Sequence, residues 1–535
     1  MDDFNVRYEN TSTTIADMDR IRRFLVYGRD DGVYFANNID IRQVLCVHAR
    51  CIDRMIANGR GREVVELIKT VSTEGRAAKQ TPILYALAVC ACCNDKKTKD
   101  AAFRSLPDIC RIPTHLFQFV RFITYRDWRR SGGWGRASKR AISEWYNQEK
   151  FVHNPMKLLR LGTKYRRRHS FTHRDLIRLA HIKPKTKHLE FAIRYLVKGL
   201  QDVKCYEDPD GIINQAKKFV FAVEEAKKYT IGDVTRLLEL ITENQLTWEH
   251  IPTELLKSTD VWRNLLYQLP VAALIRNLGR LSKMQLLQHG SFEEQHVTER
   301  LLDDARLRAA RIHPLTLLTA WNTYKRGESA TSRNPMIWEV NENIANVLES
   351  VFYRSFSASE GTGKRILFAV DGTYEMMQPV NGMPLVFARS AAVAIALFMS
   401  KIENFIEFIL VSDEVSQIHI NPTDNLESGS AKFSTACGAN FSTDSWKPIK
   451  WALQNNKCYD AIVFCTASAG RVPNQGPEAM RQYRQHTGIL NSRLIVIAMT
   501  SKENVMVDEN DLDMLSVVGF DSHAMNVVLD FIRWQ

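Results

Sequence analysis

The sequence has no apolar run fit for a bilayer. Its longest clean stretch, Ala391 to Met399, falls far short of the ~20 residues a membrane-spanning helix needs. The opening MDDFNVRYEN is acidic and polar and shows no signal-peptide pattern. No membrane partner is expected, and the expected location is the cytoplasm, extending to the nucleus. The ten cysteines are scattered, and Cys90, Cys92 and Cys93 fall in the apolar run TPILYALAVCACC. Free buried thiols are therefore expected, and no Cys/His set supports structural zinc. His169 and His173 stand at i, i+4 without a third ligand. A nucleotide loop is missing too. Gly361-Thr362-Gly363-Lys364 precedes a strand, lacks the GxxxxGK[ST] spacing and puts Arg365 where a hydroxyl belongs, so it reads as linker. No nucleophile–base constellation and no metallonuclease-like cluster of acids marks an enzyme. Low complexity is excluded by composition, 45% hydrophobic and 25% charged over 535 residues, a length that argues for more than one domain.

What is present is an excess of positive charge in one place. Lys and Arg total 72 against 60 Asp and Glu, a net charge of +12. Residues 121–190 hold 19 cations and 5 acids, an excess of 14, so the other 465 residues carry a net −2. From Gly361 to Gln535, 14 basic residues meet 18 acidic ones, a net −4. One basic segment in a neutral body points to a phosphate-bearing partner. Trp128, Trp134, Trp145, Tyr125, Tyr146 and Tyr165 are interleaved with its cations. Arg and Lys neutralise phosphates, and aromatic rings offer stacking faces to unpaired bases.

The periodicity divides the chain. From Asp17 to Phe356 it reads as helix after helix: REVVELIKTVS, TPILYALAVCA with Thr81 as N-cap and Pro82 at N1, RASKRAISEWY, EFAIRYLVKGL, VTRLLELITENQL and others. Short helices separated by turns with Gly, Pro or Asn predict stacked helix pairs, an α-solenoid of HEAT or armadillo type. After the small-residue stretch SASEGTGK the pattern changes. RILFAVD, FIEFILVSD, AIVFCTA and RLIVIAM are short apolar strands, alternating with helical RSAAVAIALFMSKI, KPIKWALQN and PEAMRQYRQH. That alternation predicts a doubly wound parallel sheet, with ligands outside the carboxyl ends of its strands. The predicted domains are residues 17–356 and 361–535.

Within the basic segment, SGGWGRASKR is a glycine-rich turn opening into a basic helix, whose first N–H groups suit a phosphate. Lys164, Arg166, Arg167 and Arg168 lead into Arg174, Arg178 and His181, which share a helical face at i, i+4 and i+7. Arg121, Arg136, Arg140, Lys164 and Arg168 are the expected phosphate contacts. In the sheet, Asp371 ends the first strand and Asp413 follows another. Asp371, Thr373 and Glu375 suit either a hard cation such as Mg²⁺ or a capped strand–helix turn.

These residues together resemble the Ro ribonucleoprotein autoantigen (TROVE) family over nearly the whole chain. The densest words are EGRAAKQTPILYALA, LPDICRIPTHLFQFV, GWGRASKRAISEWY and KYRRRHSFTHRDLIRLAHIKP, with DAIVFCTASAG, MRQYRQ, RLIVIAMTS and VVGFD toward the end. The resemblance implies a ring of HEAT-like helical repeats with a positively charged hole, followed by an α/β von Willebrand factor A domain. It implies Y-type small noncoding RNA on the outer surface, single-stranded 3′ ends of misfolded RNA in the hole, and a role in RNA quality control. It carries Y RNA contacts onto Lys164, Arg168 and His181. It also implies a metal-ion-dependent site written DxSxS with a later Thr and Asp. Here that site reads Asp371, Thr373 and Glu375, Thr443 stands at the later Thr, and Thr466 replaces the strand-end Asp. The Mg²⁺ site is thus expected to be degenerate, either rescued by Glu375 or dead. The expectation is a monomeric, non-enzymatic RNA scaffold, with any protein partners meeting the A domain. The alternatives are a protein-interaction adaptor and an RNA-processing enzyme.

Overall fold

The computed structural model of the chain describes residues 15–36, 41–131, 134–208, 211, 213–230, 234–310, 312–330, 334–381, 383–434, 446–467, 475–502 and 507–533. It falls into two compact units.

The first unit, Gly61–Gly75 with Ile83–Glu360, is helical. Its helices begin where the sequence offers a cap. Asp95 accepts from the amides of Lys97 and Thr98 ahead of Lys96–Arg104. Asn154 caps Pro155–Lys164, with proline in its first turn. Thr186 caps Lys187–Lys198, and Asn341 caps Glu342–Arg354. Each cap satisfies amides that the helix leaves unpaired. Packing runs from neighbour to neighbour. Gly61–Glu74 packs on Lys96–Arg104, that helix on Arg136–Tyr146, and that on His173–Ala180. Pro155–Lys164 packs on Lys187–Lys198 and Asn214–Ala226, which leads through Val234–Asn244 to Thr259–Leu266. Such packing is that of an α-solenoid. At Gly162 two helices meet so closely that a Cβ there would lie 2.5 Å from Leu196 Cδ2. The predicted start of one helix shifts by a turn position: it spans Gln80–Ala91, so Thr81 and Pro82 lie inside it.

The second unit joins the N-terminal segment up to Arg60 and residues 76–82 to Gly361–Gln535. Packing therefore does not follow the contiguous split at 17–356 and 361–535. Its sheet runs Val33–Phe35, Met514–Val518, Arg493–Ala498, Ala461–Thr466, Ile366–Asp371, Ile406–Val411, Val415–Ile418. All neighbours are parallel except the last pair. The four predicted strands are present, and two more parallel ones were not foreseen. Val33 pairs with Ser516 and Phe35 with Val518, so an N-terminal strand closes one edge of the sheet. Ile366–Asp371 and Ala461–Thr466 are buried along their whole length, as strands covered on both faces must be.

The GTGK linker is tied down in this unit. The Thr362 amide donates to Glu403 Oε1 at 2.8 Å and its hydroxyl to Oε2 at 3.0 Å. A Cβ on Gly361 would meet the Ile402 carbonyl oxygen at 2.1 Å. The amide that a phosphate loop would aim at its ligand is used by a carboxylate, in keeping with the linker reading. Among the described residues no helix is long and apolar enough to cross a membrane, and the described cysteines are not joined in disulfides.

Candidate nucleic-acid interface

The basic segment folds as a run of short helices around one small hairpin. Arg167 pairs with Thr172 and Arg168 with Phe171 in antiparallel register. The two linking residues, His169 and Ser170, have φ of 50° and 72°. Positive φ at both central positions is the turn that matches strand twist in a two-residue hairpin, and it usually takes Asn-Gly. Burial and the neighbouring Arg168 charge push the His169 imidazole below its ordinary pKa. Thr172 then starts the helix His173–Ala180 through a capping box: Asp175 N donates to its hydroxyl oxygen, and Asp175 Oδ2 accepts from the Thr172 amide at 2.9 Å.

The elements carrying the sequence-predicted residues adjoin one another. The helix Pro113–Ser131, with Arg121, packs on both hairpin strands. Trp134 donates its indole N–H to Thr124 Oγ1 at 3.0 Å, and its ring lies 6.3 Å from that of Phe171. This contact ties the start of the helix Arg136–Tyr146, with Arg136 and Arg140, to the hairpin. That helix packs on His173–Ala180, which ends at His181. The i+7 relation of His181 to Arg174 does not hold as helix geometry. The helix stops at Ala180, and His181 is its C-cap, at φ 51° and ψ 52°. Arg136, Arg140, Arg167, Arg168, Arg174, Arg178 and His181 are exposed, while Arg121 and Lys164 are half-buried.

Burial decides which aromatics can stack. Trp145 and Tyr146 are fully buried. The Trp145 indole donates to the Cys110 carbonyl at 2.6 Å, and the Tyr146 hydroxyl lies 2.7 Å from His173 Nδ1. They are core residues and offer no face to a base. Tyr125 is exposed, and Trp134 and Tyr165 are half-exposed. The Trp128 side chain lies outside the described residues. His173, buried and 2.7 Å from that phenol, is pushed down to about 3 by burial, and is neutral at physiological pH.

Lys164 has a neighbour that sequence reasoning did not find. Glu249 Oε1 lies 3.4 Å from its Nζ, and the Trp248 ring centroid 5.8 Å from it. His250 anchors this turn: its Nδ1 accepts from the Thr247 amide at 3.0 Å, and its Nε2 lies 2.9 Å from Thr163 Oγ1. Burial pushes His250 down to about 4. Arg166 reaches the Glu249 carbonyl at 3.4 Å. Arg140 lies 3.9 Å from Glu144 in a highly exposed pair, worth little. By contrast, Arg167, Arg168, Arg174 and Arg178 have no ion-pair partner among the described residues. Among the described residues the segment thus exposes four guanidinium groups without an ion-pair partner, while Lys164 has a carboxylate beside it.

A family model of the TROVE domain matches residues 7–245 and 240–380, and a model of the Ro60 vWA domain matches residues 365–532. The chain belongs to the TROVE-domain family. It is 29% identical to the RNA-binding protein RO60 of Caenorhabditis elegans, over 97% of this chain and 88% of that one. It is also 29% identical to the RNA-binding protein RO60 of Deinococcus radiodurans, over 98% and 94%. The crystal structure of the Deinococcus radiodurans RO (RSR) protein superposes with a TM-score of 0.83 at 28% identity, covering 97% of this chain and 99% of that one.

In this TROVE protein the end of the A-domain sheet has its own hydrogen-bonding pattern. Asp371 and Thr466 end neighbouring parallel strands at the point where the winding reverses. Asp371 Oδ2 accepts from the Thr466 hydroxyl at 2.7 Å, and Oδ1 from the Thr373 amide at 2.9 Å. Asp371 and Thr373 are buried, and Thr373 Oγ1 has no partner. Thr443 lies outside the described residues. Among the described residues, no group of three or more His, Cys, Asp or Glu could hold a metal. Among the described residues, the donors the sequence placed here are the Asp371 carboxylate, already accepting at both oxygens, the Thr373 hydroxyl and the half-buried Glu375. These described donors alone do not complete the near-octahedral oxygen set that Mg²⁺ calls for.

Proposed function

We propose that this chain is the RNA-binding scaffold of a ribonucleoprotein. It holds a Y-type small noncoding RNA on its basic face, receives the single-stranded 3′ ends of misfolded RNAs in a ring of helices, and serves RNA quality control. The observation that carries the reading is that Arg167, Arg168, Arg174 and Arg178 are exposed and without an acid partner among the described residues, in a segment 14 charges in excess. Backbone phosphates fix position without reading sequence, so selectivity comes from RNA shape and from a free end. Two relatives named RNA-binding proteins support it. The protein acts as a monomer and transforms no RNA. The test mixes the full chain with an RNA bearing a single-stranded 3′ tail and with a blunt duplex of the same sequence. Preference for the tailed RNA is expected. Equal binding overturns the end-capture reading, and any cleaved or modified product overturns the scaffold reading.

At the sheet end, the reading is that the Thr466 hydroxyl replaces the cation by bonding to Asp371. Calorimetric titration with Mg²⁺ is expected to show no heat of binding. Stoichiometric binding overturns it.

A further inference from the structure

The hairpin tip carries a feature that RNA binding leaves unused. Ser170 is exposed at the turn and follows Arg167-Arg168-His169. It thus has guanidinium groups three and two residues before it, and Phe171 directly after it. An acidic peptide groove with an apolar pocket beyond the acceptor hydroxyl is the complement of that pattern, and basophilic serine/threonine kinases present such a groove. The local backbone favours access. Only two residue pairs close the hairpin, and both residues of its turn sit at positive φ without being glycine. The helix Pro113–Ser131 holds both strands, and opening the turn itself releases the left-handed strain.

We propose that Ser170 is a phosphorylation site for a basophilic serine/threonine kinase and that its modification turns off RNA binding. Ser170 Oγ attacks the γ-phosphorus of ATP, and the Oγ–P bond forms as the bridging P–O bond to ADP breaks. The hydroxyl proton passes to the kinase's carboxylate base. The product places a charge of about −1.5 to −2 and three acceptor oxygens among Arg166, Arg167 and Arg168. Those guanidinium groups then bind the phosphoserine instead of the RNA backbone. Loss of two such phosphate contacts flattens the log–log salt slope by about 1.4, so at about 0.1 M salt the modified protein binds about 25-fold more weakly than the unmodified one, the two being matched at about 1 M.

The regulatory half rests on the proposed RNA-binding function, and the experiment separates the two. The full chain is incubated with Mg-ATP and the catalytic subunit of cAMP-dependent protein kinase, with and without prior binding of tailed RNA. Phosphopeptides are then mapped, and RNA affinity is measured against salt. Modification at Ser170, its suppression by bound RNA, and an RNA affinity about 25-fold lower in the modified protein are expected. Ser170→Ala is expected to abolish the modification and to retain RNA binding. If Ser170 in the full chain resists a kinase that modifies a peptide of residues 164–174, the hairpin is closed to the enzyme and the proposal fails. If Ser170 is modified and RNA affinity and slope are unchanged, the switch is refuted. Failure of the unmodified chain to bind RNA at all overturns the RNA reading itself, and the switch with it.

Discussion

Glu249→Gln should make RNA binding tighter. Among the described residues, Lys164 is the one proposed RNA contact paired with an acid from far along the chain, at 3.4 Å. The pair carries no net charge, so Lys164 brings to the phosphate backbone less than one full cation. Replacing the carboxylate by an amide adds one unit of positive charge to the patch. Each phosphate neutralised contributes ~0.7 (single strand) to ~0.9 (duplex) to the salt slope. Glu249→Gln should therefore steepen the slope by that amount and tighten binding ~5–8-fold at 0.1 M relative to 1 M salt. Arg168→Ala, removing a cation without an acid partner, should do the reverse by the same factor. Lys164→Ala with Glu249→Gln should return near the wild-type slope. Fluorescence anisotropy with a tailed RNA at four or more salt concentrations reads all of these, and circular dichroism checks that each variant is folded. Glu249 Oε2 is buried without a partner, so the amide costs the fold little. A folded Glu249→Gln protein whose affinity is unchanged or lower would refute the electrostatic reasoning.

Stability should fall with acid through two buried histidines. His173 and His250 are pushed down by burial to about 3 and about 4, so both stay neutral in the fold while the unfolded chain takes up a proton on each below pH ~6.5. Their contribution is complete above that pH and is lost as pH falls toward the folded values, ~2 kcal/mol each by pH 5. Urea unfolding should show a drop between pH 7.5 and 5 that His250→Gln reduces by about 2 kcal/mol, and an equal drop in both proteins speaks against the linkage. Thr466→Val removes the donor to the buried Asp371 Oδ2 and should cost ~1–3 kcal/mol in the same assay; no loss would show the bond is dispensable. A fragment of residues 361–535 lacks Val33–Phe35 and leaves Met514–Val518 as a bare apolar edge, so it should aggregate in size-exclusion chromatography. A monomeric fragment as stable as the full chain would count against that edge.

Much of this architecture was legible because it is local. Apolar residues at helical spacing, a proline beside Asn154 and strands of unbroken Val, Ile and Phe report their surroundings within a few residues. The charge excess is local too, and it led to the hairpin and the helix His173–Ala180 without any structure. What the sequence hid depends on distant partners. Val33–Phe35 is a three-residue strand in a mostly helical half, and its only sequence signal is the run GVYF after a turn. Its identity as a strand exists because Met514–Val518 offers it hydrogen bonds.

The same distinction separates the aromatics. In sequence, Trp145 and Tyr146 lie among cations as Tyr125 does, but composition cannot tell which face of a helix points inward. The pattern within RASKRAISEWY could have done so. Ser138, Ala141, Ile142 and Trp145 recur at helical spacing and are all buried, so Trp145 belongs to the apolar stripe and Arg136 and Arg140 to its opposite face. Charge counting found the segment, and periodicity then sorts which of its residues can meet a ligand. Neither could have found Glu249, which modulates one cation from 85 positions away in the chain. A count of basic residues therefore overstates the attraction at Lys164 and gives it correctly at Arg168, opposite which no acid stands among the described residues.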